Sequence, residues 1–223
     1  MRRSLQEVRL LARDPVLLVL VVVIMASLLV FVVYPPVLVL LQAFRTPDGF
    51  GLDNFELIAQ RRLYRNALRN SLVVGAVVGV CSVVLGYIAA YVMTRTDAPL
   101  KRLFHNLTIL PIVSPPFAGA ISILFLFGFN GIITRHLLGL DNFSIYGFGG
   151  VVASQIFTFT PIAYLSLRGV LAGINPTLED AALNVGASRS QVFWRVVFPL
   201  SLPGVASAFL VVLIESMADF GNP

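Results

Sequence analysis

Few side chains in this 223-residue chain could do chemistry, and where they fall says more than how many there are. Glu215 and Asp219 follow an apolar run that starts at Val196 and reads as membrane-spanning. Carboxylates at that depth are costly and face a bundle interior or water. They are candidates to line a cation route. The competing reading pairs them with an arginine or places them near the far interface. A second acidic pair, Glu179 and Asp180, opens a helical stretch where the helix dipole favours negative charge. His105 and His136 lie far apart without metal-ligand spacing, so no metal site is assigned, and His105 is expected at a membrane interface. Cys81 is the one cysteine, so no disulfide forms within the chain. The one lysine, Lys101, is followed by Arg102, so a Gly-Lys-Ser/Thr phosphate loop cannot be spelled. No Ser/His/Asp set or paired carboxylates suggest hydrolysis. The chain is read as a non-enzyme, and any ATP-driven role needs another subunit.

These residues sit in a chain that is 57% hydrophobic and 12% charged. Soluble domains carry about a quarter charged residues, so the composition is that of an integral membrane protein. The net charge of +5 is spread over loops without interleaved aromatics. It reads as anionic-lipid and cytoplasmic-loop bias, not nucleic-acid binding.

The chain organises as an N-terminal part, residues 1–65, and a core, residues 66–223. Met1 to Asp14 is basic. Val16 to Leu41 has no charge, is long enough to cross a bilayer, and holds Pro35-Pro36, which would end or kink it. Pro47-Asp48-Gly49 reads as a turn, and Phe50 to Tyr64 as a short interfacial helix. Arg61, Arg62, Arg65 and Arg69 read as a solvated or headgroup-facing stripe. Asn70 to Thr94 is a second span, with Gly75, Gly79 and Gly86 offering close helix approach. Leu103 to Thr134 exceeds one simple span and is interrupted by Pro111, Pro115 and Pro116. It reads either as a kinked helix whose broken part faces a cavity and serves as a gate or translocation-path helix, or as a merely bent helix. Span four is expected in Phe148 to Leu167, and Val196 to Ile214 begins a fifth. With the N-terminus inside, 10 of the 16 Lys and Arg residues are cytoplasmic and 6 external, which places the loop after span four in the cytoplasm.

That loop, residues 176–204, carries the clearest pattern. Asn175-Pro176-Thr177 suits a capped helix start, and Gly186-Ala187-Ser188 reads as its end. Asp180-Ala181-Ala182 is followed by three residues and Gly186, then by nine residues and Val196-Val197-Phe198-Pro199. This resembles the EAA loop of binding-protein-dependent ABC transporter permeases, with Asp180 where the pattern has Glu and with Glu179 beside it to share the role. Asn70-Ser71-Leu72 resembles the Asn-Ser-Leu that often opens the core of ABC permeases, while LPIVSPPFAGAISILFLFG in the third apolar region and ESMADFGNP at the end resemble the iron(III)-type permeases, most closely the N-terminal half of one.

The resemblance implies an all-α membrane protein with about five transmembrane helices of a type I importer core and a cytoplasmic coupling helix. Glu179, Asp180, Ala181, Ala182, Gly186 and Pro199 would form the ATPase-coupling loop. Pro115, Pro116, Glu215 and Asp219 would border the translocation path. ABC ATPase subunits, which would carry the ATP and magnesium, are implied as partners, with this chain binding no cofactor. A periplasmic binding protein, a second permease half or copy, and the bilayer complete the set. Location would be the bacterial inner membrane, multi-pass, with a cytoplasmic N-terminus. Ferric iron is the first substrate expectation; related permeases carry thiamine, putrescine, sulfate or phosphonate-type solutes. One EAA loop and the stop at Pro223 suggest a truncated chain or one half of a longer one. An ATP-independent transporter or channel, and an incomplete membrane scaffold, stand as alternatives.

Overall fold

The computed structural model describes residues 15–46, 49–139 and 145–219, with backbone alone at Pro116 and Phe117. The contacts divide the chain into two units, Met1–Ala67 and Leu68–Pro223.

In the first unit, α1 runs Pro15–Ala43 and contains a π-helical turn at Leu29–Val33. Pro35 and Pro36 do not end the helix. They occupy the first turn after the π-helical one. A proline ring offers no N–H and crowds the carbonyl one turn back; the wider preceding turn takes up both. Strands β1 (Arg45–Thr46) and β2 (Gly49–Phe50) pair antiparallel, Arg45 opposite Phe50. The turn expected at Pro47-Asp48 lies outside the described residues. The interfacial helix is shorter than expected, α2, Asp53–Gln60. The Asn54 side-chain amide donates to the carbonyls of Ala43 and Arg45, 3.0 Å each, tying α2 to the end of α1.

The second unit is built from α3 (Arg62–Arg95, which begins before the boundary), α4 (Lys101–Val113), α5 (Pro116–Phe127), α6 (Phe148–Gly173), α7 (Pro176–Asn184) and α8 (Arg189–Ala218). A π-helical turn at Ile132–Leu137 follows α5, and another, Phe193–Val197, lies within α8. Among the described residues, five segments are long and apolar enough to cross a membrane: Pro15–Ala43, Arg62–Arg95, Ala118–Leu137, Phe148–Gly173 and Arg189–Ala218. The fold is therefore an all-α membrane protein of five candidate spans. The third apolar region is broken, not merely bent. Ser114 and Pro115 are extended, with ψ of 144° and 146°, the region that a residue ahead of proline prefers.

Glycines set the packing of α3. A Cβ on Gly79 would lie 2.8 Å from the Phe209 ring, and one on Gly75 would lie 3.2 Å from Leu213 and Met217. These glycines, with the Tyr87–Ser201 hydroxyl contact of 3.0 Å, run α3 antiparallel against α8. Gly86, about two turns beyond Gly79 on the same side of the helix, meets α6, where a Cβ would come within 2.8 Å of the Tyr164 backbone nitrogen. The small-residue face of α3 thus serves two neighbours. Val78, Ala90, Ala163, Tyr164, Leu167, Leu171, Val197 and Val212 fill the core between these helices. α4 and α5 pack on the α6 face.

Candidate functional site: the loop between the last two spans

The loop opens on a capped helix. Asn175 is extended, and its side-chain oxygen accepts from the Thr177 amide at 3.1 Å, satisfying one of the free amides of α7. Pro176 takes the first helical position, where its missing N–H costs nothing. At the other end the Ala187 amide reaches the Ala182 carbonyl (3.1 Å) and the Gly186 amide reaches Leu183 (2.9 Å), with Gly186 at φ +90°. This is a Schellman stop. It accounts for the spacing between Ala182 and Gly186. The glycine must stand four positions beyond the residue whose carbonyl receives the sixth amide.

A capping box then restarts the chain. Ser188 accepts from the Gln191 amide, and the Gln191 side chain accepts from the Ser188 amide at 2.8 Å. Phe193, Trp194 and Phe198 stack edge to face around the π-helical turn, and Phe193 meets Tyr91 of α3 at 5.2 Å between ring centres. Pro199 directly follows this turn in the way Pro35-Pro36 follows the turn in α1.

The two acids of the loop have different surroundings. Asp180 is exposed, as are Ala181 and Gly186; Glu179 turns inward. Its Oε1 lies 2.7 Å from Arg95 Nε, with the two side chains 17% and 12% exposed. The atoms are in ion-pair contact off the N–H direction, so the attraction is of charge more than of a directed hydrogen bond. The Arg95 Nη2 also donates to the carbonyls of Leu171 (2.9 Å) and Ile174 (3.0 Å), at the C-terminal end of α6, where the Leu171 carbonyl accepts besides from the capping Ile174 amide (3.3 Å) and the dipole favours a cation. Arg95 therefore joins the end of α3, the end of α6 and the first turn of α7. The sequence shows Arg95 closing a charge-free span, but nothing local links it to Glu179. A polar recess of about 410 Å³ beside α7 is bordered by Thr94, Asp97, Lys101, Glu179, Asp180 and Arg189.

A second polar cluster lies where α6 begins and α8 ends. Gln155, buried, donates to Asp219 Oδ2 (3.1 Å) and accepts from Ser216 Oγ (2.5 Å). Asp219 is half-buried and Glu215 is exposed, so the two carboxylates have unlike surroundings. Pro115 is exposed at the α4–α5 break, and the side chain of Pro116 lies outside the described residues. His105 Nδ1 lies 2.8 Å from the Tyr164 hydroxyl and 3.3 Å from an Arg168 nitrogen. No group of three or more metal-ligating side chains occurs among the described residues.

Residues 82–221 match the family model for the binding-protein-dependent transport system inner membrane component, over more than half of the chain. The chain belongs to this family. Similar curated members include the ferric transport system permease protein FbpB of Actinobacillus pleuropneumoniae, 34% identical over 197 residues, covering 86% of this chain and 29% of that protein. The molybdenum transport system permease protein ModB of Mycobacterium tuberculosis is 34% identical over 157 residues, covering 70% of this chain and 60% of that protein. The chain thus spans under a third of the ferric relative and under two thirds of the molybdenum one. Family membership carries the transport-component assignment, but these two members are named for cargoes as different as ferric iron and molybdenum. Among solved structures, the fold matches a bacterial alginate ABC transporter in complex with an alginate pentasaccharide-bound periplasmic protein. The TM-score is 0.75 at 19% identity, over 93% of this chain and 75% of that one.

Proposed function

We propose that this chain forms membrane-spanning permease structure of an ATP-driven importer in a bacterial inner membrane, with α7 as the helix that docks on an ATPase subunit. The supporting observation is a nine-residue helix, capped at both ends, that presents Asp180 outward while Glu179 is held inward. ATP and magnesium belong to the partner. A periplasmic binding protein delivers solute at the opposite face, and a second permease half or copy completes the pore. The N-terminus is cytoplasmic, in keeping with the Lys and Arg distribution. The chain does no covalent chemistry. The solute is ferric iron in this reading, supported by the FbpB likeness.

The test is co-purification of the complete permease with the ATPase encoded alongside it. Gly186→Val should reduce the recovered ATPase at least tenfold, because φ +90° is costly for a β-branched residue and the Schellman stop would be lost. An unchanged yield would show that α7 is not the docking element.

For the solute route, Glu215→Gln with Asp219→Asn should lower uptake of ferric ion, presented on its periplasmic binding protein, by tenfold or more. Unchanged uptake would remove both carboxylates from the path.

A further inference from the structure

We infer that Arg95 is the positioning residue that fixes α7 to the membrane helices, so that displacement of the loop is passed to α3 and α6 together. The functional half of this inference rests on the importer reading above.

The geometry carries it. Helix α7 buries no side chain completely. Ala182 is its one partly buried residue packed against the core. A helix without a buried stripe gains little from apolar packing, and most helices in proteins depend on such packing. Its position must come from its ends. At the C-terminal side the Schellman stop and the capping box lead into Phe193, which packs on Tyr91 and Tyr87 of α3. At the N-terminal side the tie is Arg95. One guanidinium holds Glu179 and two carbonyls from the end of α6, and it is itself 12% exposed. Both ends of the loop are thus bound to the same last turns of α3, one by charge and one by aromatic rings.

Three features make the arginine specific. Its planar fork can serve an acid and two carbonyls at once, which an ammonium at the end of a flexible stem does poorly. The α6 carbonyls lie at the negative end of a helix dipole, and Glu179 lies at the positive end of α7. The cation therefore sits between two helix termini and links them. Asp180, one residue on, is left exposed for a basic group on the partner. The neighbouring acids have separate tasks: Glu179 attaches the helix to its own chain, and Asp180 faces outward.

The experiment uses the complete permease with its ATPase, as Glu179→Gln, Arg95→Gln, the double variant and Arg95→Lys. Two quantities are read: hydrogen exchange of the α7 amides, and ferric ion imported per ATP in proteoliposomes supplied with the iron-loaded binding protein. Each single glutamine variant should speed α7 exchange about tenfold and cut import per ATP at least fivefold, with ATPase still bound. The double variant should be no worse than the worse single one, since both remove the same pair. Arg95→Lys should restore part of both. If Arg95→Gln fails to assemble, Glu179→Gln and Arg95→Lys decide the matter by the same criteria. Exchange and import within twofold of wild type in Glu179→Gln, or effects that multiply in the double variant, would overturn the inference. A wild-type complex that never retains an ATPase or imports with ATP would refute the importer reading instead, and exchange alone would then judge the attachment.

Discussion

Gly86→Val should prevent the core of the second unit from assembling. A Cβ at this position would lie 2.8 Å from the Tyr164 amide nitrogen, 2.9 Å from Ala163 Cβ and 3.0 Å from the Ala163 carbonyl carbon. Two of these are backbone atoms of α6, so no rotamer change relieves the clash. The helices must separate, and Ala163, Tyr164 and Leu167, all fully buried, would lose their partners. Overpacking of a dense core costs about 1–3 kcal/mol, and a collision with backbone belongs at or above the top of that range. Loss of the folded fraction in detergent, followed by protease resistance, is the measurement. Gly169→Val is the control, since a Cβ there meets nothing within 4 Å. Equal resistance of the two variants would mean that α3 and α6 do not approach as described.

Arg95→Met should be nearly as damaging, for an electrostatic reason. The substitution keeps the apolar stem but removes the cation. Glu179, 17% exposed, loses its charge partner, and the Leu171 and Ile174 carbonyls lose the guanidinium, Leu171 keeping the Ile174 amide at 3.3 Å. Removing one member of a buried pair typically costs about 3–5 kcal/mol, because the remaining charge stays buried alone. Partial exposure puts this site at the lower end. The combined Arg95→Met, Glu179→Leu variant should recover a good part of the loss, because no isolated charge remains. Denaturation midpoints in detergent would check both. If the single and the combined variant were equally unstable, the harm would come from the lost carbonyl contacts and not from the stranded acid.

Much of this was legible in the sequence, for physical reasons that differ from element to element. The spans follow from runs without charge, since a bilayer tolerates little else. The ends of α7 were legible because Asn175, Pro176 and Gly186 act through their own backbone or the amides beside them. The glycines of α3 were legible as a small-residue face, though which neighbour each one meets was not. Gly75 and Gly79 receive α8, whereas Gly86 receives α6. The kink in the third apolar region was expected from Pro111, Pro115 and Pro116. The full break lies at Ser114 and Pro115, both extended, the conformation that a following proline favours without imposing.

Three features could not be read. The continuation of α1 through Pro35-Pro36 depends on a π-helical turn, and no composition announces one. The tie between Arg95 and Glu179 depends on two distant helix ends meeting. Each residue has an ordinary local explanation, one as the close of a span and the other as a first-turn acid, so neither calls for the other. The cluster of Gln155, Ser216 and Asp219 was hidden in the same way, since a lone Gln in an apolar helix carries no address.

The wide turn at Phe193–Val197 is in effect an inserted residue that the helix has absorbed. Each residue in an α-helix advances the chain by about 100°. An in-frame deletion of one codon there would leave the hydrophobic lettering almost untouched, yet it would swing everything upstream, Gly186 and Asp180 included, to another bearing relative to α8. In this stretch the length of the text is under tighter control than its spelling.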